Sequence, residues 1–374
     1  MLYKLSDVFD LQMGKTPSRD NNMYWKDGNL PWVSIADLSK SQIYIENSKE
    51  MITNLAAKDT LMKCIPQDTV IMSFKLSLGK TAITKTPLYT NEAIMAFIDK
   101  KVIQIEPKYI YFLFRNIKWG QYTNNAVKGK TLNKKFFSDF QIYIPEYTQQ
   151  TKIVSILIRI NKILEYKHSL IKAYDAIIKS RFVEVFGIFN VNTNNHNTIK
   201  FKDLIEQNNI NEEDKVWLLN LDMIKSNTGE IIEKVYINKQ NIPTSSIAFK
   251  KGTVLYSKLR PYLNKVVIAD ENGYGTSELI PLNSYKNGLT AEYLAYYLRQ
   301  DSFVEYIKDK VTGAKMPRVA MDILRNIDII QPNYISQEQF SSFVNHINKL
   351  KADVQKSIDK AQLLMDSLMQ EYFG

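Results

Sequence analysis

Two long stretches of heptad-spaced apolar residues constrain what this chain can become. Between Thr148 and Gly187, apolar side chains recur at alternating steps of four and three: Ile153, Leu157, Ile160, Leu164, Ile171, Tyr174 and Ile178. Lys167 and Arg181 interrupt the same track, and neither Gly nor Pro occurs from Thr148 to Phe186. This period puts a narrow apolar seam on one long helix, as in a coiled coil. At 1.5 Å per residue, roughly 38 residues make a rod on the order of 57 Å long. No single core needs such a rod, so it requires a partner. Ser336 to Gly374 supplies one, with Phe340, Phe343, Ile347, Leu350, Val354, Ala361, Leu364 and Leu368 on an equivalent seam. Each stretch follows a proline (Pro145, Pro332), opens on glutamines and closes on Phe-Gly (Phe186-Gly187, Phe373-Gly374). Two unrelated amphipathic helices would not match in length and at both ends.

The repetition extends beyond the helices. Residues 3–187 and 199–374 carry the same order of signals, about 186 residues apart, too long a period for a solenoid. The strand around Trp32 (PWVSIADLS) is echoed around Trp217 (VWLLNLDMI). A strand, a serine, a basic loop and a second strand follow from Asp68 and again from Gly252. Each region before a long helix mixes short β-branched strands with one or two short helices, which predicts an irregular α+β globule. The expected fold class is therefore α+β: two similar globular domains and two long antiparallel coiled-coil helices, related by a pseudo-two-fold internal repeat. The expected division is 1–147 domain, 148–187 helix, 188–198 polar linker (NVNTNNHN at its centre), 199–335 domain and 336–374 helix.

Absences exclude most enzyme chemistry. One cysteine, Cys64, rules out a disulfide framework and fits a reducing cytoplasm. His168, His196 and His346 are scattered, so no zinc cluster of recognisable spacing exists. Gly-Lys-Thr occurs at 14–16, 79–81 and 129–131, but a phosphate loop needs a glycine five residues earlier, where Phe9, Phe74 and Asn124 stand. No Pro-Pro dipeptide occurs, which removes the Asn/Asp-Pro-Pro-aromatic motif of amino methyltransferases. No metal ligands and no catalytic constellation emerge. No apolar run approaches the ~18 residues of a membrane span and the N-terminus has no signal core, so a soluble, cytoplasmic protein is expected.

The net charge of +10 points weakly to a polyanion. Basic loops at corresponding places in the two halves point more strongly. In the first half these carry Lys15, Thr16, Ser18, Arg19, Lys75, Ser77, Lys80, Lys128, Lys130 and Lys134; in the second, Lys225, Lys258, Arg260, Tyr262, Lys265, Lys315 and Arg318. Lys and Arg neutralise phosphates, Arg also forks onto guanine, and hydroxyl groups add polar bonds. Singly, each is equally a solvated surface group; as a set repeated in both halves they predict contact with double-stranded DNA.

The stretch GKTPSRDNNMYWKDGNLPWVSIADLS resembles the opening of a target recognition domain in the specificity subunits of type I restriction-modification enzymes. IPEYTQQTKIVSIL resembles that family's proline-then-glutamine lead into its long helix, and the layout of domain, helix, domain, helix matches over the whole chain. The second half departs from the pattern: it lacks Gly-x-Thr-Pro-Ser, and Asn-Tyr-Ile-Ser separates Pro332 from Gln337. The resemblance implies a non-catalytic subunit whose two domains read the unlike parts of a bipartite site. Its helices would set the spacer and dock two modification (methyltransferase) subunits, which in turn carry the restriction/translocase subunits. S-adenosylmethionine, ATP and magnesium would belong to those partners, with no cofactor on this chain. A standalone DNA-cleaving or DNA-methylating enzyme, and an adaptor that reads no sequence, remain the alternatives.

Overall fold

The computed structural model describes residues 1–123, 132–192, 195–206, 209–210 and 214–374, and of Lys286 the backbone alone. The candidates Lys128 and Lys130, and part of the polar linker, lie outside the described residues. The chain forms two compact units, one of residues 1–166 with 358–374 and one of residues 167–357. The long helices run Tyr147–Phe186 and Tyr334–Phe373, so each contributes part of its length to each unit. The second starts two residues ahead of Ser336 because the Asn333 side chain accepts from Ile335 N, at 2.8 Å, and satisfies an orphan donor of the first turn. No described helix is long and apolar enough to cross a membrane.

In the first unit, five strands lie in the order Phe9–Met13, Ile94–Asp99, Val70–Ser73, Thr81–Thr84 and Tyr44–Ile45, antiparallel except for the last pair. Val70–Ser73 is buried throughout, which explains its unalternating apolar run. Val70 and Met72 face one core with Phe97 and Phe114, while Ile71 faces another with Val33 and Ile94. A smaller sheet places the Trp32 strand, Leu30–Val33, between Glu50–Ile52 and Tyr89–Thr90, parallel to the latter. The second unit repeats the scheme. Val254–Ser257 lies between Val266–Ile268 and Leu279–Leu282, and the Trp217 strand, Lys215–Leu219, runs parallel to Gly273–Gly275.

Both units close on their helices in the same way. In the first, Leu2–Lys4 pairs with Gln141–Tyr143 just before the helix; in the second, Asn197–Lys200 pairs with Asp328–Gln331. Gln150 and Gln337, on the first turn of each helix, are fully buried. Gln150 accepts from Glu106 N (2.9 Å) and donates to Gln104 O (3.1 Å) and Pro145 O (2.9 Å). Gln337 accepts from Thr290 N (2.9 Å) and donates to Gly288 O (3.1 Å) and Pro332 O (2.9 Å). Each amide thereby welds the helix to the loop that leads into a short core helix, Pro107–Asn116 or Ala291–Arg299. Tyr109 and Tyr293 on those core helices donate to Tyr143 O and Ile330 O.

The helices run antiparallel, as is visible within each unit. In the second, Asp175 pairs with Lys351 at 2.5 Å while Phe182 and Phe186 pack on Phe340: numbers rise on one helix as they fall on the other. In the first, Ile153 and Leu157 share a core with Met365, Leu368 and Phe373. Ile153, Leu157, Ile160, Leu164 and Ile178 are buried, and Ile171 and Tyr174 are half-buried. The track then shifts by one, burying Phe182 and exposing Arg181, because the helix now packs on the aromatic core around Tyr293.

On the second helix the expected seam needs one correction. Leu364 is 51% exposed. The 4-3 spacing passes from Val354 through the buried Ile358 to Ala361, Met365 and Leu368. Choosing the leucine over the adjacent methionine takes a step of three where the heptad takes four, about 100° round the helix. Phe340 and Ile347 are buried on that seam, and Phe343 and Leu350 flank it half-buried.

Candidate nucleic-acid interface

The signature loop Gly14–Arg19 is first of all a latch. Gly14 N donates to Ile94 O (3.2 Å) and Lys15 N to Thr90 O (2.9 Å). A Cβ on Gly14 would lie 2.2 Å from Asn91 O, so only glycine permits this approach. Lys15 O accepts from the Trp32 indole and Ser18 O from the Trp25 indole, both at 2.9 Å, and the two indoles meet edge to face at 5.1 Å. The Thr16 hydroxyl donates to Glu92. The Arg19 guanidinium forks onto Glu50 (2.5 and 2.9 Å) and lies 3.8 Å over Trp25. The hydrogen bond from Arg19 holds the Glu50 carboxyl below the usual carboxylate range. Lys15 Nζ donates to Thr60 O (2.8 Å). Lys15, Thr16 and Arg19 stay exposed, but the side chain of each already has a partner within the chain. An open groove of about 640 Å³ brings Lys15 beside Lys63 and Lys134. Lys134 opens the short helix Lys134–Asp139, whose N-terminus is capped by Asn133.

The second cluster is built around a buried serine that ends a core strand, once per unit. In the first unit, Ser73 N donates to Lys80 O (2.9 Å), the Ser73 hydroxyl bonds Ser77 O, and Leu132 N donates to Phe74 O (3.0 Å). In the second, Ser257 N donates to Lys265 O (3.1 Å), its hydroxyl to Leu259 O (2.9 Å), and Val319 N donates to Lys258 O (3.1 Å). The bonding pairs Ser73 with Ser257, Phe74 with Lys258 and Lys80 with Lys265. The loop is one residue longer in the second unit, so Lys75 stands opposite Leu259 and Leu76 opposite Arg260. Gly79, at φ 78°, lies against Trp119, where a Cβ would come within 2.7 Å of the ring.

In the second unit this cluster collects most of the candidate residues. Arg260 N donates to Pro317 O (2.8 Å) and its guanidinium to Lys315 O (3.4 Å), so Lys258, Arg260, Lys315 and Arg318 are neighbours. Arg318 forks onto Glu278 at 2.7 to 3.1 Å, which raises its pKa. Lys265 is half-buried, with Nζ 2.5 Å from Leu221 O. Lys225 pairs with Glu230 (2.7 Å) in a turn tied to the cluster through Asn227 N and Asn264 O. Tyr262 is 43% exposed at the rim. The candidates thus divide into cations held by carboxylates or carbonyls (Lys15, Arg19, Lys225, Lys265, Arg318) and side chains with no such strong pairing among the described residues (Lys75, Lys80, Lys134, Lys258, Arg260, Lys315). Ser18 and Ser77 take part through their carbonyls.

Sequence reading missed Gln150 and Gln337 as welds and Leu76 as a loop tip. The glutamine after each proline was the available signal. Nothing local marked Leu76, whose position depends on backbone handedness. Among the described residues no three His, Cys, Asp or Glu side chains gather as a metal site.

Residues 1–173 match the family profile described as "Type I restriction modification DNA specificity domain". The MjaIX specificity subunit of Methanocaldococcus jannaschii, a type I restriction enzyme, is 23% identical over 98% of this chain and 90% of its own length. The HindI specificity subunit of Haemophilus influenzae, also type I, is 28% identical over 41% of this chain and 34% of its own. Among solved structures, one from a study of complex assembly in the type I R-M system covers all of this chain and 97% of its own with TM-score 0.62 at 14% identity. The S subunit from M. genitalium covers all of this chain and 96% of its own, with TM-score 0.56 at 11% identity; both share this fold. Residues 1–173 thus match the type I restriction modification DNA specificity domain, and over nearly its whole length the chain is similar to a type I restriction enzyme specificity subunit and shares the fold of solved type I S subunits.

Proposed function

We propose that this chain is the non-catalytic, sequence-reading subunit of a type I restriction-modification complex, in which each unit reads one part of a bipartite, asymmetric site. One observation carries the reading: a single unit, with the same glutamine weld and the same serine-ended strand feeding a basic loop, is built twice from different sequence. Equivalent scaffolds meet a duplex in equivalent ways, while unlike loop residues select unlike bases. The long helices act as the spacer and as the docking face for two modification subunits, which connect to the restriction and translocase subunits. On this reading S-adenosylmethionine, ATP and magnesium are handled by those partners, and the chain works in solution without a membrane.

The test is to assemble the chain with its modification subunit and map methylated adenines. Two short unlike sequences around an unread spacer are expected, and one continuous site would overturn the reading, as would methylation or cutting by this chain alone. Inserting four residues into each long helix, after Tyr166 and after Ser357, adds about 6 Å. That should lengthen the spacer by about 2 base pairs at ~3.4 Å each and leave both specific parts unchanged; an unchanged spacer refutes the ruler.

A further inference from the structure

The third residue beyond the buried serine has left-handed backbone in both units: Leu76 at φ 63° and Arg260 at φ 47°. Such a conformation is disfavoured by about 1–2 kcal/mol for a residue with a Cβ, and glycine would avoid it. Folding does not explain either choice. Leu76 is 75% exposed, among the most exposed apolar side chains of the molecule. Arg260 is exposed, and among the described residues its guanidinium makes one long bond, 3.4 Å to Lys315 O. Yet both tips are held firmly. Gly79 N donates to Ser73 O and Lys80 N to the Ser73 hydroxyl in one unit; Leu263 N to Arg260 O and Arg260 N to Pro317 O brace the other. Lysines flank each tip: Lys75 and Lys80 beside Leu76, Lys258 and Lys315 near Arg260. A rigid, strained corner that presents an uncompensated side chain between cations suits a ligand with a polyanionic backbone and something to read between its phosphates.

We propose that Leu76 and Arg260 are specificity-determining tips of the two units, both working in the major groove. Leu76 packs on the 5-methyl of a thymine, and Arg260 forks onto the O6 and N7 edge of a guanine. The proposal rests on the DNA-reading function above and assigns a different base chemistry to each half of the site. Arg318, already forked onto Glu278, braces the loop.

The test selects binding sites from a random duplex library with the full chain assembled with its modification subunits, comparing wild type, Leu76→Gly and Arg260→Gly. Glycine relieves the left-handed strain, so both variants should melt no lower than wild type. Arg260→Gly should lose preference for a guanine at one position of one half, by about 5- to 150-fold. Leu76→Gly should lose preference for a thymine in the other half. Replacing that thymine by uracil should weaken wild-type binding about fourfold, the worth of one methyl group, and leave Leu76→Gly unaffected. Unchanged enrichment in both variants, or loss in both halves together, overturns the tip assignment while the bipartite site stands. A wild type that enriches no sequence overturns the reading function itself, and the proposal with it.

Discussion

Gln150→Ala is the sharpest probe of how a reading unit is fixed to its helix. The fully buried amide makes three hydrogen bonds, accepting from Glu106 N and donating to Gln104 O and Pro145 O. Alanine deletes all three and leaves one donor and two acceptors without that partner. A buried donor left unmade costs about 1–3 kcal/mol, and each lost bond contributes about 1 kcal/mol net. The expected destabilisation of the first unit is therefore about 3–5 kcal/mol, or roughly a hundredfold or more in local opening. Because two compact units need not unfold together, the suitable assay is hydrogen exchange at the Glu106 amide, with Gln149→Ala as control. Gln149, its neighbour, is exposed and should change stability by less than ~0.5 kcal/mol. Gln337→Ala should do the same at the Thr290 amide and leave the Glu106 amide protected. The argument fails if Gln150→Ala and Gln149→Ala exchange alike, since the weld would then carry no energy.

The corrected seam predicts that Leu364→Ala changes stability by less than ~0.5 kcal/mol, whereas Leu157→Ala, at a fully buried position, costs about 2–5 kcal/mol; denaturant melts of the two variants decide it, and equal losses would restore Leu364 to the seam. In alkali, burial pushes the Tyr109 and Tyr297 phenols up to about 12, above the unfolded value of about 10. The folded state then holds protons that the unfolded state has lost, so stability present in full below pH 10 falls as pH rises through about 12. Phenolate absorbance should show tyrosines ionising late and together with unfolding, and complete ionisation near pH 10 in folded protein would contradict the burial.

By itself the sequence determined the architecture: two α+β units and two long antiparallel helices. The reason is that a heptad period and a repeated order of strands, turns and helices are local patterns, legible without coordinates. Ile153, Leu157, Ile160 and Ile347 could be placed on a seam because each sits at a fixed angle from the next. Leu364 could not, since choosing between Leu364 and Met365 requires knowing where the partner helix lies. Strand order was equally out of reach, because the pairing of Phe9–Met13 with Ile94–Asp99 is settled by side chains distant in sequence. The same limit governed the candidate interface. Composition marks Arg19, Lys265 and Arg318 as cations, but only the tertiary structure sets them against Glu50, Leu221 O and Glu278. Likewise it is the closure of the loop around Ser73 and Ser257 that turns Leu76 and Arg260 to positive φ and makes them tips.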